Sequence, residues 1–386
     1  MLALRLARGA HPLVQLRRLL VAAASAGTGF LLLCTLGHAL AHPDGAAHSV
    51  LRLAWCALPL AATVYFAVAV ARSDPGTKPR AGLSAVGLGP ARLTLLAAIS
   101  TAIACTLGSM LALLFFLHLR GDLSGLPFDG AARQLLAADE PLPLAAVLTL
   151  LTWVPLTASA ASALALRPRL AAPVKDTAEP AQPATPPTGL PWGFALLAAG
   201  LAVETYAASA RGAAGSRLPG GLTGSPTGVL AGWTLTALGL ALAGPGLTYL
   251  CGRALQSVRP SAVRLLAGRG LQEEARRVGR PLGVVCAVAS GAYAAGVLYE
   301  EAGPGAGPLA TLGAVLVVGC ALATLATASF EARQARRHTT EALLRIGAPA
   351  TALRGAVVLR AGALLAVFGP LTWLIAQLSA APLTSR

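Results

Sequence analysis

The stretch Leu93–Leu119, LTLLAAISTAIACTLGSMLALLFFLHL, contains no Asp, Glu, Lys or Arg and lies between Arg92 and Arg120. About 20 mostly apolar residues cross the hydrocarbon core of a bilayer. A longer run without charge therefore reads as a membrane span. Working outward, the same reading finds eight more runs: Leu19–Leu40, Leu51–Ala71, Pro143–Leu166, Leu190–Ala210, Gly228–Leu250, Pro281–Leu298, Leu309–Ala328 and Leu353–Leu378. Pro281–Leu298 is short and rich in Gly and Ala. Pro59, Pro155 and Pro245 fall inside or near the ends of these runs; lipid tolerates such prolines because neighbouring helices satisfy the freed carbonyls. The expected fold is all-α, a polytopic transmembrane bundle of about nine spans.

Composition agrees. Hydrophobic residues make up 55% of the chain and charged residues 12%, about half the usual charged share. A soluble chain of 386 residues would form two or three domains, and their surfaces would need more charge than this. Abundant Ala, Leu and Gly suit close helix packing in lipid. The first apolar run reads as a retained helix rather than a cleavable signal, since it is long enough to span and others follow.

The net charge of +15 could indicate nucleic acid, but the positions of the charges give a different explanation. Lys78 and Lys175 are the only lysines. Basic residues gather in the N-terminal segment (Arg5, Arg8, Arg17, Arg18) and in alternate loops after it. These are the loops holding Arg72 to Arg92, Arg167 to Lys175, Arg253 to Arg280 and Arg333 to Arg345. The intervening loops are poor in bases or acidic: Ala41–Val50 has none, Asp122, Asp129, Asp139 and Glu140 outnumber Arg120 and Arg133, and Glu300 and Glu301 stand without a base. This is the positive-inside pattern. It predicts a multi-pass protein of the cell membrane with a cytoplasmic N-terminus and Ala380–Arg386 outside, in contact with lipids and without a nucleic-acid partner.

Cys34, Cys56, Cys105, Cys251, Cys286 and Cys320 form no CxxC pair and lie in or beside apolar runs. They read as small buried hydrophobes. The chain also repeats itself. Leu4-Arg5-Leu6-Ala7-Arg8-Gly9 followed by Arg17-Arg18 matches Leu265-Leu266-Ala267-Gly268-Arg269-Gly270 followed by Arg276-Arg277. Leu83–Gly89, LSAVGLG, matches Leu343–Pro349, LLRIGAP. Both matches are displaced by about 260 residues, in the same orientation, as in a parallel repeat. Each leader reads as an interfacial amphipathic helix. The division expected is a first unit at 1–120, a fourth span with its outer loop at 121–166, a Pro-rich cytoplasmic linker at 167–189, the fifth and sixth spans at 190–251, and a second unit at 252–386.

The segment Glu331–Leu353, EARQARRHTTEALLRIGAPATAL, resembles the cytoplasmic loop of the FtsX-like permeases, the membrane subunits of ABC transporters. The residues that carry the resemblance are Arg336, Arg337, Glu341, Leu343, Leu344, Arg345, Ile346, Gly347 and Ala348. The first loop matches at Leu83, Val86 and Gly87 and lacks the Glu and the central Arg. The resemblance implies two FtsX-like units whose loops form coupling helices, docked on a separate ABC ATPase, itself a dimer. Leu343, Leu344 and Ile346 would supply the apolar face, the arginines would pair with acidic groups or lipid phosphates, and Gly347 would end the helix. The chain departs from the family in having small outer loops, Ala41–Val50 and Tyr299–Pro308, and no span after Leu378. These departures favour a second reading, a non-transporting membrane regulator or scaffold.

No other chemistry stands out. There is no Gly-x-x-x-x-Gly-Lys-Ser/Thr loop, no HExxH and no Gly-x-Ser-x-Gly elbow; the expectation is a non-enzymatic chain without cofactor or metal, working with a separate ATPase. His42, Asp44 and His48 share the first outer loop and read as solvated. Glu204 is the one acid well inside a predicted span, and an intramembrane acid is a candidate functional group. A single such acid makes a secondary transporter the least favoured reading.

Overall fold

The computed structural model describes residues 12–43, 46–74, 90–123, 130–133, 136, 138–167, 187–209, 226–257, 261–302 and 307–384. The leader Leu4–Gly9, the segment with Leu83, Val86 and Gly87, and most of the Pro-rich linker lie outside these residues. The described chain is helical: α1 Pro12–Ala41, α2 Ala46–Trp55, α3 Ala57–Ser73, α4 Pro90–Arg120, α5 Leu144–Leu166, α6 Leu190–Ser209, α7 Pro226–Ser257, α8 Ala262–Ala302, α9 Pro308–Ala335, α10 Arg337–Arg345 and α11 Ala350–Thr384. Among the described residues nine helices are long and apolar enough to cross a membrane, with α2 and α3 together supplying the second. Their outer faces expose large apolar side chains, for example Leu95, Ile99, Ile103, Leu107 and Leu114 along α4. Water would not tolerate so long an apolar face, whereas lipid requires one. The chain is a multi-pass integral membrane protein.

The helices form two compact units. The first holds residues 1–174 and 307–320, and the second holds 175–306 and 321–386. In the first, α1 presents a buried stripe of Val21, Ala24, Ser25, Thr28, Gly29, Leu32 and Leu33. The small residues let backbones approach, and hydroxyls bridge them. Ser25 donates to the Cys105 carbonyl at 2.8 Å, Ser109 to the Leu151 carbonyl at 3.1 Å, and the Thr28 and Thr63 hydroxyls lie 2.9 Å apart. Such bonds between membrane helices contribute about 0.6 kcal/mol each. Phe30 meets Phe116 edge to face at 6.3 Å, beside a cluster of Leu33, Phe116, Leu136, Val147 and Leu151. Arg120, only 4% exposed, ends α4 by donating to the carbonyls of Ala138 and Glu140 and facing Asp122 at 3.4 Å. This folds the loop after α4 back onto the unit. At the start of α1, Arg18 pairs with Asp74 at 2.5 Å.

In the second unit α7 is the central helix, and glycine decides how its neighbours approach. A side chain at Gly239 would meet the Leu197 backbone and the Gly193 carbonyl, and one at Gly200 would meet Thr236 and the Gly232 carbonyl. Gly193 and Gly200 on α6 therefore face Gly239 and Gly232 on antiparallel α7. On another side of α7, Gly244 and Gly252 meet Gly279 and Gly268 of α8. Leu240, Cys286, Phe368 and Ile375 pack α7, α8 and α11 together.

The structure differs from the sequence expectation at the second leader. Leu265–Gly270 and Arg276-Arg277 do not form a separate interfacial helix. They belong to α8, whose 41 residues continue through Pro281 without interruption. Such a helix is roughly 60 Å long, about twice the hydrocarbon thickness. Arg is a good helix former, so the basic stretch extends the span rather than breaking it. Arg253 likewise lies in α7 and not in a loop.

Candidate functional site

Two regions of the second unit hold the described residues among those singled out above; Leu83, Val86 and Gly87 lie outside the described residues. The first is α10 with its flanks. Arg336 is the N-cap residue of α10. Its guanidinium pairs with Glu274 of α8 and also reaches the Ala332 carbonyl at 3.3 Å. The Glu274 side chain is mostly enclosed, at 12% exposure. The start of α10 is thus fastened to a helix far away in sequence. Arg337, Glu341 and Arg345 are exposed and Leu343 is half-buried. Leu344 is 47% exposed and Ile346, just after the helix, 84%.

The end of α10 is closed by backbone geometry. Gly347 has φ +92°, the left-handed region that favours glycine. The Ala348 amide donates to the Leu343 carbonyl and the Gly347 amide to the Leu344 carbonyl, both at 3.0 Å. These are the two bonds of a Schellman cap. Pro349 follows, and α11 begins at Ala350. Arg336 through Gly347 thus form one short helix, Arg337–Arg345, with its two caps, and among the described residues Leu344 and Ile346 remain exposed while Leu343 is half-buried.

The second region surrounds Glu204. It lies on α6 and is only 4% exposed. Thr236 of α7 donates to its Oε1 at 3.1 Å, and the Ser379 hydroxyl of α11 faces the same carboxyl. Oε2 is buried without a hydrogen bond of good geometry. Gly232 makes room for the side chain, since a Cβ there would overlap the Glu204 Cγ. Among the described residues no ion pair includes Glu204.

Reading the bases loop by loop missed Glu274. A signal was present: Glu273 and Glu274 are the only acids between Arg253 and Arg280. Thr236 and the glycine notch were also missed, although Gly193 and Gly200, and Gly232 and Gly239, are spaced by seven residues. All six cysteines are buried free thiols. His38 and His42 stack at 4.3 Å, and among the described residues no three or more His, Cys, Asp or Glu are grouped to hold a metal. The chain matches no protein-family model, no curated protein and no solved structure.

Proposed function

We propose that this membrane protein is the permease subunit of an ABC-type complex with FtsX-like units, driven by a separate ATPase that docks on α10. One observation carries the reading: Leu344 on a short helix outside the apolar spans and Ile346 just after it are exposed, between Arg336 and a closed Gly347 turn. Exposed apolar groups on a braced helix suit a partner groove that accepts a helix face. Arg337 and Arg345 would meet its acidic rim. Closure of the ATPase on ATP would move α10, and the four-residue link from Ile346 to Pro349 would pass that movement to α11. The first loop, with Leu83, Val86 and Gly87, would be the second and weaker contact.

The test is Leu344→Asp. A carboxylate in an apolar groove is desolvated and unpaired, at a cost of about 3 kcal/mol, or roughly 100-fold in affinity. The variant is expected to reach the membrane and to lose co-purification with the ATPase and ATPase stimulation in lipid. Undiminished complex formation and activity would reject the docking face.

The orientation follows from loop charge, with α10 and the N-terminus in the cytoplasm. A single cysteine at Thr177, on a background without the six native ones, should stay unlabelled by an impermeant thiol reagent applied to intact cells. Labelling from outside would reverse the topology. The short connections from α1 to α2 and from α8 to α9 favour the second reading, a membrane regulator or scaffold that engages a partner without transporting.

A further inference from the structure

The α10 docking face makes no use of Glu204, whose surroundings are as specifically built. We propose that Glu204 is a proton-binding site at the meeting of α6, α7 and α11, holding the neutral acid while the helices are packed and releasing the proton when they part.

The argument starts from enclosure. Glu204 is almost completely buried in an apolar bundle, and an isolated carboxylate in such surroundings is far more costly than a neutral acid. A cation would remove that cost, but none faces it from the three helices. On α6 the other titratable residue is Tyr206, which is exposed. On α7 they are Tyr249, Cys251 and Arg253. Arg253 is nearly five turns from Thr236, roughly 25 Å along the axis. On α11 they are Arg354 and Arg360, and Arg360 is more than five turns from Ser379. Arg360 is also committed elsewhere, donating to the Leu266 carbonyl at 2.8 Å.

The neighbouring hydroxyls can each donate or accept, so they can serve the neutral acid as well as the ion, and it is the enclosure that favours the acid. Oε1 accepts from Thr236, as the carbonyl oxygen of a protonated carboxyl would. Oε2 is the oxygen left without a good bond; bearing the proton, it becomes a donor, and the Ser379 hydroxyl facing the group offers an acceptor. The packing selects the ligand by size. Side chains at Gly200 or Gly232 would overlap Thr236 and the Glu204 Cγ respectively, so close packing of α6 on α7 encloses the Glu204 side chain, and a proton, which needs no added volume, is the ligand such packing admits.

Release is a simple dissociation: the Oε2–H bond breaks, its electron pair stays on the carboxylate, and the proton passes to water. The route is short. Glu204 lies five residues before the end of α6 and Ser379 five before the end of α11, roughly 7 Å from those helix ends. Exchange is therefore with one side of the membrane, whichever partner the protein has.

The experiment is an infrared pH titration of the full chain in lipid, comparing wild type with Glu204→Gln. The expected result is a buried carboxylic-acid carbonyl band in wild type at neutral pH, lost in Glu204→Gln. In Thr236→Val the band should move to higher frequency, because the bond donated to Oε1 is gone. Identical carboxylic-acid spectra for wild type and Glu204→Gln from acid to alkaline pH would overturn the proposal. Should Glu204→Gln fail to fold, the Thr236→Val shift decides alone, and an unshifted band overturns it.

Discussion

Glu204 and Leu344 are misplaced in opposite senses. Glu204 is a charge-bearing side chain enclosed among apolar helices, 4% exposed. Leu344 is an apolar side chain 47% exposed on a short helix rich in charged and polar residues. Each breaks the rule that its surroundings obey, and positions where local consistency fails are where function is expected. The supports differ as well. Glu204 is held by shape, in a notch left by Gly232 and closed by Thr236. The helix of Leu344 is held at its ends, by the Arg336–Glu274 pair and by the Gly347 turn. α11 begins at the turn after Gly347 and ends beside Glu204, so one helix reaches both. A site held by shape should fail all at once. A site held at its ends should fail in part.

The largest effect is expected at the notch. Gly232→Val puts a branched side chain where a single Cβ already overlaps Glu204 and stands 3.1 Å from the Gly200 carbonyl oxygen. Neither backbone can retreat without opening the crossing that Gly193 and Gly239 also form. The cost is about 3 kcal/mol or more, and the variant should lose the monodisperse peak on size exclusion in detergent. Retention of the wild-type profile and melting temperature would show that the notch is loose. Leu344→Asp should leave that profile intact while weakening the proposed docking of an ATPase roughly 100-fold, which separates the two regions in one pair of measurements.

How much of this was legible follows the same divide. The nine spans could be read from the sequence because lipid imposes a length and excludes charge, which leaves runs such as Leu93–Leu119 unmistakable. Where the helices end is less legible. α7 runs on to Ser257 and α9 to Ala335, because nothing in their basic tails stops a helix at the membrane surface. The short helix before Gly347 and its closing turn were readable, since a left-handed glycine followed by Pro349 is a local signal. Glu204 was visible as an odd residue, but its partners were not. Thr236 and Ser379 come from helices 32 and 175 positions away, and pairing across such separations has no local signature. Glu274 was hidden for the same reason, by the many arginines around it.

An intermediate effect is expected at the Arg336–Glu274 brace. Arg336→Glu sets two carboxylates against each other where a pair existed. Both side chains retain some exposure, 28% and 12%, so the loss is moderated by solvent and amounts to about 1.5 kcal/mol. Amide exchange over Arg337–Arg345 should quicken roughly tenfold. The swap Arg336→Glu with Glu274→Arg should restore much of the protection. If the single variant exchanges like wild type, the start of α10 is not held by this pair.

The smallest effect is expected at Gly347, and it sharpens the comparison with Gly232 because both changes add a side chain to a glycine. At Gly347 a Cβ would meet nothing within 4 Å, so there is no clash of the kind expected at Gly232. What remains is the backbone. A residue with a Cβ at φ +92° is strained by about 1 kcal/mol. Gly347→Ala should therefore leave the fold and the detergent profile unchanged. It should loosen only the amides of Gly347 and Ala348, which donate to Leu344 and Leu343, by roughly fivefold in exchange rate. Gly347→Asn should be milder, since Asn visits the left-handed region more readily than Ala. An Ala variant indistinguishable from wild type would mean that the cap relaxes freely and does not fix the end of α10. Leu344 and Ile346 would then be presented by the helix alone, and the Arg336 brace would be its only fixed end.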